Sequence, residues 1–176
     1  MLALDNNTVF DDIADTAAEL KKYPIRKKLV LIEEKSGLEV APHDIGVGIS
    51  QVVPVVVAAF GSNNRIIAIE QPELHLHPAI QAELGDLFIQ SALGDFKNFF
   101  LIETHSEHLI LRILRRIRET TRGKAETPVK PEDVSLLFVG ELNKQTDFLN
   151  LRIDKNGRII DRVPGGFFEE DFAEIF

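Results

Sequence analysis

Two short stretches of this chain concentrate the residues able to do chemistry. In "RIIAIEQPELHLHP", residues 65–78, an apolar run ends in Glu70, Gln71 and Glu73, followed by His75, His77 and Pro78. In "NFFLIETHSEHLI", residues 98–110, a second apolar run gives way to Thr104, His105 and Ser106. A hard cation takes oxygen ligands, usually one or two carboxylates together with phosphate oxygens and water. A neighbouring imidazole or amide can contact a terminal phosphate or orient a water. Taken together, these residue types suit a magnesium-nucleotide site. Four of the five histidines fall between His75 and His108. The spacing His75-x-His77 keeps zinc open as a second reading, beside a plainer one in which both rings serve a loop at a subunit contact.

The elements around these stretches must carry them to one place. Residues 65–70 and 98–104 read as buried strands, being short, continuous and apolar. Residues 78–93 begin with Pro78 at a helix-entry position and repeat Ile80, Leu84, Leu87 and Phe88 at helical spacing. Residues 106–120 form a strongly amphipathic helix that Ser106 is placed to cap. A third strand is expected at 133–139. The resulting strand–helix–strand–helix–strand order predicts an α/β fold: a mostly parallel sheet with right-handed crossovers, flanked by helices. In such a sheet ligands bind off the carboxyl ends of the strands, where Glu70, Gln71, Glu73, Thr104 and His105 would meet. Upstream, 10–20 has helical composition and 28–34 reads as a strand. The segment "SGLEVAPHDIGVG" is loop-like. Residues 49–60 fit a strand by their β-branched content and a helix by their length, and Pro54 argues against a central strand. Period-two alternation on both sides of "KNG" predicts a small C-terminal β-hairpin, and "GGFFEEDFAEIF" a closing helix.

Composition sets limits. Of 176 residues, 44% are hydrophobic, enough for a globular core. No apolar run approaches the ~20 residues that span a bilayer, and the acidic N-terminus is not a secretory signal. With no cysteine, disulfides and thiolate metal sites are excluded, which fits a cytoplasmic address. Lys and Arg number 20 against 28 Asp and Glu, a net charge of −8, so the chain as a whole is no general nucleic-acid binder. The basic exception is the helix carrying Arg112, Arg115, Arg116 and Arg118, with Arg122 just beyond. It reads either as a solvated face or as a contact for nucleic acid or an acidic partner.

"IIAIEQPELHLHP" resembles the Walker B and D-loop region of the cassette-type ATPases of the RecF, SMC and overcoming-lysogenization-defect group. "LIETHSEHLI" resembles their switch strand running into Thr-His-Ser. "DIGVGISQVVPVV" stands where their signature motif falls, and "DRVPGGFFEEDF" resembles the Pro-Gly-Gly-Phe-Phe segment of predicted bacterial AAA-type ATPases with a C-terminal domain of unknown function. The likeness spans about residues 44–176. It implies ATP and Mg²⁺ as cofactors. Glu70 then corresponds to the magnesium-coordinating carboxylate, Gln71 to the catalytic-base position and His105 to the histidine that reads the γ-phosphate. His75 to Pro78 fall in the D-loop, with Glu73, His77 and Thr104 beside the nucleotide. Gly46, Gly48, Ser50 and Gln51 form the signature, which touches the nucleotide of an opposite subunit. On this resemblance residues 1–43 close a helical insertion and lead in by a strand, 44–140 are the C-terminal lobe, and 141–176 are the hairpin and tail.

The pattern departs in three places. A phosphate-binding loop requires G-x-x-x-x-G-K-[ST]; the only Gly-Lys is Gly123-Lys124, followed by Ala125 and with Arg118 where the first Gly belongs. An N-terminal lobe or second subunit, in a homodimer among other arrangements, is therefore expected to complete the site, and the chain alone to be inactive. Gln71 replaces a carboxylate with an amide that positions water but takes no proton. Gly46 stands where many relatives carry the signature Ser. The alternatives are a catalytically idle module that docks on a partner ATPase or nucleic acid through 106–120, and a His/Glu metallo-hydrolase. "LLFVGELNKQTD" echoes a toprim nuclease opening but lacks the Glu before Gly140, which rejects a nuclease. Phe167 and Phe168 read as a tail packed on the core or docked on a partner.

Overall fold

The run 65–70 forms strand β3, Ile66–Glu70, once two short strands before it are counted: β1, Leu31–Ile32, and β2, Glu39–Val40. The computed structural model describes residues 30–41, 44, 46–142 and 145–163. The chain divides into two compact units, Met1–Pro42 and His43–Phe176. In the first, β1 and β2 pair antiparallel through a turn in which Gly37 has φ 69. Of the strand expected at 28–34, Leu31–Ile32 is strand, and 28 and 29 lie outside the described residues. The loop reading of the next segment is corrected at Glu39–Val40, which the tight turn folds back onto Leu31–Ile32. The helices expected at 10–20 and after Gly165, with Phe167 and Phe168, also lie outside the described residues.

In the second unit, helix α1, Val47–Phe60, settles the ambiguity of 49–60. Pro54 sits in its interior, beyond the first turn, and is exposed, so its ring meets solvent rather than a packed neighbour. Helix α2 is Pro78–Leu93, strand β4 is Phe99–Glu103 and helix α3 is Glu107–Thr121. Strands β3 and β4 are parallel neighbours in the register Ile66↔Phe99 through Glu70↔Glu103. The connection between them is α2, the long crossover that a parallel pair needs.

One face of this pair is covered. Ile69, Phe100 and Ile102 pack against buried Val55, Leu76, Leu84, Phe88 and Leu109 from α1, α2, α3 and the loop after β3. The Phe88 and Phe100 rings lie 4.9 Å apart, tilted by 54°. The opposite face is bare: Ile66 is 81% exposed, Phe99 65% and Leu101 62%. The expectation of strands buried on both faces is thus met on one face only, although both faces are apolar. A second core joins Ile89, Ile110, Leu114, Ile117 and Val129, with Leu136, Ile153 and Ile159 packed against it.

The expected third parallel strand is corrected. Strand β5, Leu136–Leu142, pairs antiparallel with β6, Gln145–Leu151, in a sheet of its own, so the β3–β4 sheet has two strands among the described residues. The reason is the connection: residues 143 and 144 alone separate the two strands, too few for a parallel crossover. The hairpin expected around "KNG" is short: the bridge Ile153↔Ile159 is flanked by the Asp154 N–H donating to the Arg158 carbonyl and the Ile160 N–H to the Arg152 carbonyl, both at 2.9 Å, while residues 145–151 pair with β5. The turn itself forms, with Gly157 at φ 66 against the Leu114 carbonyl of α3 and Thr121 Oγ1 donating to the Lys155 carbonyl. Among the described residues no helix is long and apolar enough to cross a membrane.

At the end away from the carboxylates, Asn98 locks the layers together. Its Nδ2 donates to the Ala59 carbonyl (3.1 Å), the Ser62 carbonyl (2.9 Å) and Ser91 Oγ (3.1 Å), while Oδ1 accepts from the Arg65 amide (2.9 Å). Asn98 is buried, as is Ser91, whose hydroxyl donates to the same Ala59 carbonyl at 2.6 Å. Removing the amide strands several buried partners at once. Asn98→Ala is therefore expected to destabilise the unit by about 2–4 kcal/mol in urea unfolding, whereas a loss under ~0.5 kcal/mol would show the network to be dispensable.

Candidate functional site

The carboxyl ends of β3 and β4 meet at one edge because the strands run parallel and in register. Glu70 and Glu103 are register partners and lie on the same exposed face. Adjacent strands stand about 4.8 Å apart, so the two residues leave the sheet at neighbouring positions of its edge. Carboxylate oxygens are the ligand type that a hard divalent cation takes. Glu103 was not among the residues singled out from the sequence. The available signal was its place at the end of the second apolar run, matching Glu70 at the end of the first.

Beyond the strands the chain turns sharply. Gln71 has φ 45, a left-handed conformation uncommon for a residue with a side chain, and its amide extends the ladder by donating to the Glu103 carbonyl at 2.8 Å. Leu74 N–H then donates to the Gln71 carbonyl and Leu76 N–H to the Glu73 carbonyl, at 3.2 and 3.0 Å. His75 also has positive φ, 61. Glu73 points inward: it is 8% exposed, and its Oε1 accepts the His105 N–H at 2.7 Å. The other loop is shaped by Thr104, whose Oγ1 accepts the Ser106 N–H at 3.0 Å. Ser106 Oγ caps α3 by accepting the Leu109 N–H at 3.1 Å, and donates to Gln81 Oε1 at 2.7 Å. Gln81 Nε2 reaches back to the Leu76 carbonyl at 3.0 Å. The loops after β3 and β4 are thus clasped twice, once by Glu73 and once by Gln81 with Ser106.

Glu70, Gln71, Glu73, Thr104 and His105 therefore lie on two adjoining loops or strand ends, with the His105 and Glu70 side chains exposed. His77 is the N-cap of α2, its Nδ1 accepting the Ala79 N–H at 3.2 Å. Among the described residues no group of three or more His, Asp or Glu is arranged to hold a metal ion.

The signature positions occupy the start of α1. Gly48 meets this junction directly: a Cβ built on it would lie 2.5 Å from the His75 carbonyl oxygen. Gly46, at φ 91 and ψ 156, holds a conformation open essentially to glycine alone, so a Ser there would be strained. Ser50 Oγ donates to the Val47 carbonyl at 2.7 Å, within its own helix, and Gln51 is exposed.

Two arginines of α3, Arg112 and Arg116, reach α2. Arg112 Nη1 and Arg116 Nε each bind Asp86 at 2.6 Å; Arg112 also reaches Glu83 at 3.4 Å. Arg115 and Arg116 bind Glu119 at 2.7 and 2.6 Å. Gly85 lets the helices approach here, its Cβ position lying 3.1 Å from Arg112 Cγ. Burial pushes the Asp86 carboxyl up, but the hydrogen bonds and charges of Arg116 and Arg112 outweigh it and hold the group below its ordinary value. Hydrogen bonding to Asp86, then to Glu119, raises the Arg116 guanidinium in turn.

Against known proteins, a family model described as AAA ATPase domain matches residues 3–110. No curated protein and no solved structure matches the chain.

The Asp86 pairing makes a pH prediction. A carboxyl depressed in the folded state contributes stability above its unfolded range, lost as pH falls through the folded value. Unfolding free energy should thus fall from neutral pH into the acid range more steeply for the wild type than for Asp86→Asn, which starts less stable at pH 7. Parallel pH profiles for the two proteins would disprove the assignment.

Proposed function

The chain belongs to the AAA ATPase domain family, and from that premise we propose that it binds and hydrolyses Mg-ATP as the C-terminal half of a cassette-type ATPase, completed by an N-terminal lobe and a second subunit. One observation carries the reading: parallel β3 and β4 bring Glu70, Gln71, Thr104 and His105 out at a single edge, where open parallel sheets bind ligands.

Each residue has a task in this proposal. Glu70 holds the magnesium, which when bound neutralises charge on the phosphate oxygens. Gln71, turned by its positive φ, orients the attacking water; as an amide it takes no proton, so turnover is slow relative to a site with a carboxylate there. The exposed imidazole of His105 contacts the γ-phosphate. Gly46, Gly48, Ser50 and Gln51 present the first turn of α1 to nucleotide held by the opposite subunit, and Gly48 ties that turn to the loop after β3.

Two features support a further lobe. The sequence has no G-x-x-x-x-G-K-[ST]. The face of Ile66, Phe99 and Leu101 is apolar and bare, unlike the covered faces of ordinary parallel sheets. The binding-module alternative draws less support, because Arg112, Arg115 and Arg116 are engaged with Asp86, Glu83 and Glu119.

The test is binding of a fluorescent ATP analogue and phosphate release, with and without an N-terminal lobe that carries the phosphate-binding loop. The chain alone should bind weakly and release no phosphate, and the pair should do both in a magnesium-dependent way. Glu70→Gln and His105→Ala should each slow the pair by roughly 100-fold or more. Turnover untouched by Glu70→Gln would refute the proposal.

A further inference from the structure

Glu73 is an acid buried beside the site with an unusual economy of contacts. It follows Gln71 by two residues, is 8% exposed, and gives a single side-chain hydrogen bond: Oε1 accepts the His105 N–H at 2.7 Å. Its Oε2 is buried and meets no donor among the described residues. Buried acceptors are rarely left empty. A neutral Gln would supply the same acceptor to His105 without burying a charge, and an apolar residue would fill the space without leaving an oxygen bare. What the side chain supplies is one acceptor oxygen, held at 2.7 Å, for a single peptide N–H. That peptide belongs to the residue assigned to the γ-phosphate.

We propose that Glu73 is a positioning residue that latches the loop of Gln71 to the peptide of His105, so that water-orienting and phosphate-reading groups move as one. This deepens the ATPase reading and rests on its assignment of Gln71 and His105 to one site. The latch differs from the second clasp in what it holds. Gln81 and Ser106 fix the ends of α2 and α3, joining the Leu76 carbonyl to the α3 cap. Glu73 reaches His105 itself, one residue ahead of that cap. Gln71 is tied on its other side to the Glu103 carbonyl. A shift of the Gln71 loop therefore reaches His105 by two routes, through the end of β4 and through Glu73, and only the second bears on the His105 peptide directly.

The experiment is backbone amide exchange on the full chain, with the Leu109 amide, bonded to Ser106 Oγ, as internal reference. In Glu73→Ala the His105 amide should exchange roughly 10- to 100-fold faster, the range expected for losing a bond to a charged acceptor, while Leu109 protection holds. Glu73→Gln keeps an oxygen for His105, at the cost of an amide NH2 at the buried position of Oε2, so it should restore the larger part of the protection but not all of it. In the completed ATPase, Glu73→Ala should lower kcat more than it raises KM, and Glu73→Gln should recover it. A His105 amide indifferent to Glu73→Ala overturns the latch. So does equal loss of protection at His105 and Leu109, which would mark Glu73 as a structural support only. Glu70→Gln separates the two proposals: it should leave His105 exchange unchanged, and if it also leaves hydrolysis unchanged the ATPase reading fails while the exchange result still decides the latch.

Discussion

The parallel register of β3 and β4 is the constraint on which everything near the candidate site depends. With Glu70 opposite Glu103, the next residues of both chains must leave the sheet at the same edge and turn into adjoining loops. An antiparallel pairing would send one of those loops to the opposite end. The ladder even continues past the strands, through the Gln71 amide to the Glu103 carbonyl. Hydrogen bonds from the His105 N–H to the Glu73 carboxylate and from the Ser106 hydroxyl to Gln81 then set the loops against each other.

That arrangement is held from the other end by a different chemistry. Asn98 and Ser91 converge on the Ala59 carbonyl, fastening the end of α1 to α2 and the start of β4. Between the two ends lies the apolar layer of Ile69, Phe88, Phe100 and Leu109. The helices that make this layer are joined outside it by Asp86 with Arg112 and Arg116. The basic stripe that stands out in the sequence of α3 is thus largely matched by acids of α2 and of α3 itself. In contrast, Ile66, Phe99 and Leu101 on the outer face of the strand pair are exposed, and among the described residues the sheet has two strands, fewer than parallel sheets ordinarily have.

Much of this is legible in the amino-acid sequence. Pro78 at the helix start, the 3.6-residue spacing of α2 and α3, the Ser106 cap and the two apolar runs are local signals, and the elements fall where they point. The fate of β5 was not readable from alternation alone, because strand propensity says nothing of which neighbour a strand will choose; the short connection to β6 decided it. Residues 49–60 carried strand and helix signals together, and packing of Val55 and Ala59 resolved them. Glu103 escaped notice because its importance lies in its register partner, a long-range fact.

What the sequence by itself determined is therefore the inventory: the strand–helix–strand–helix order of 65–120, which tips carry oxygen and imidazole, and that no phosphate-binding loop accompanies them. Those are properties of residue type and spacing along the chain. What only the tertiary structure decided is pairing: Glu103 beside Glu70, the Glu73 carboxylate on the His105 peptide, Gly48 under the His75 carbonyl, and one sheet face covered while the other is bare. Such contacts join residues tens of positions apart, and they arise when buried strands and helices settle on a common core, which no local pattern encodes.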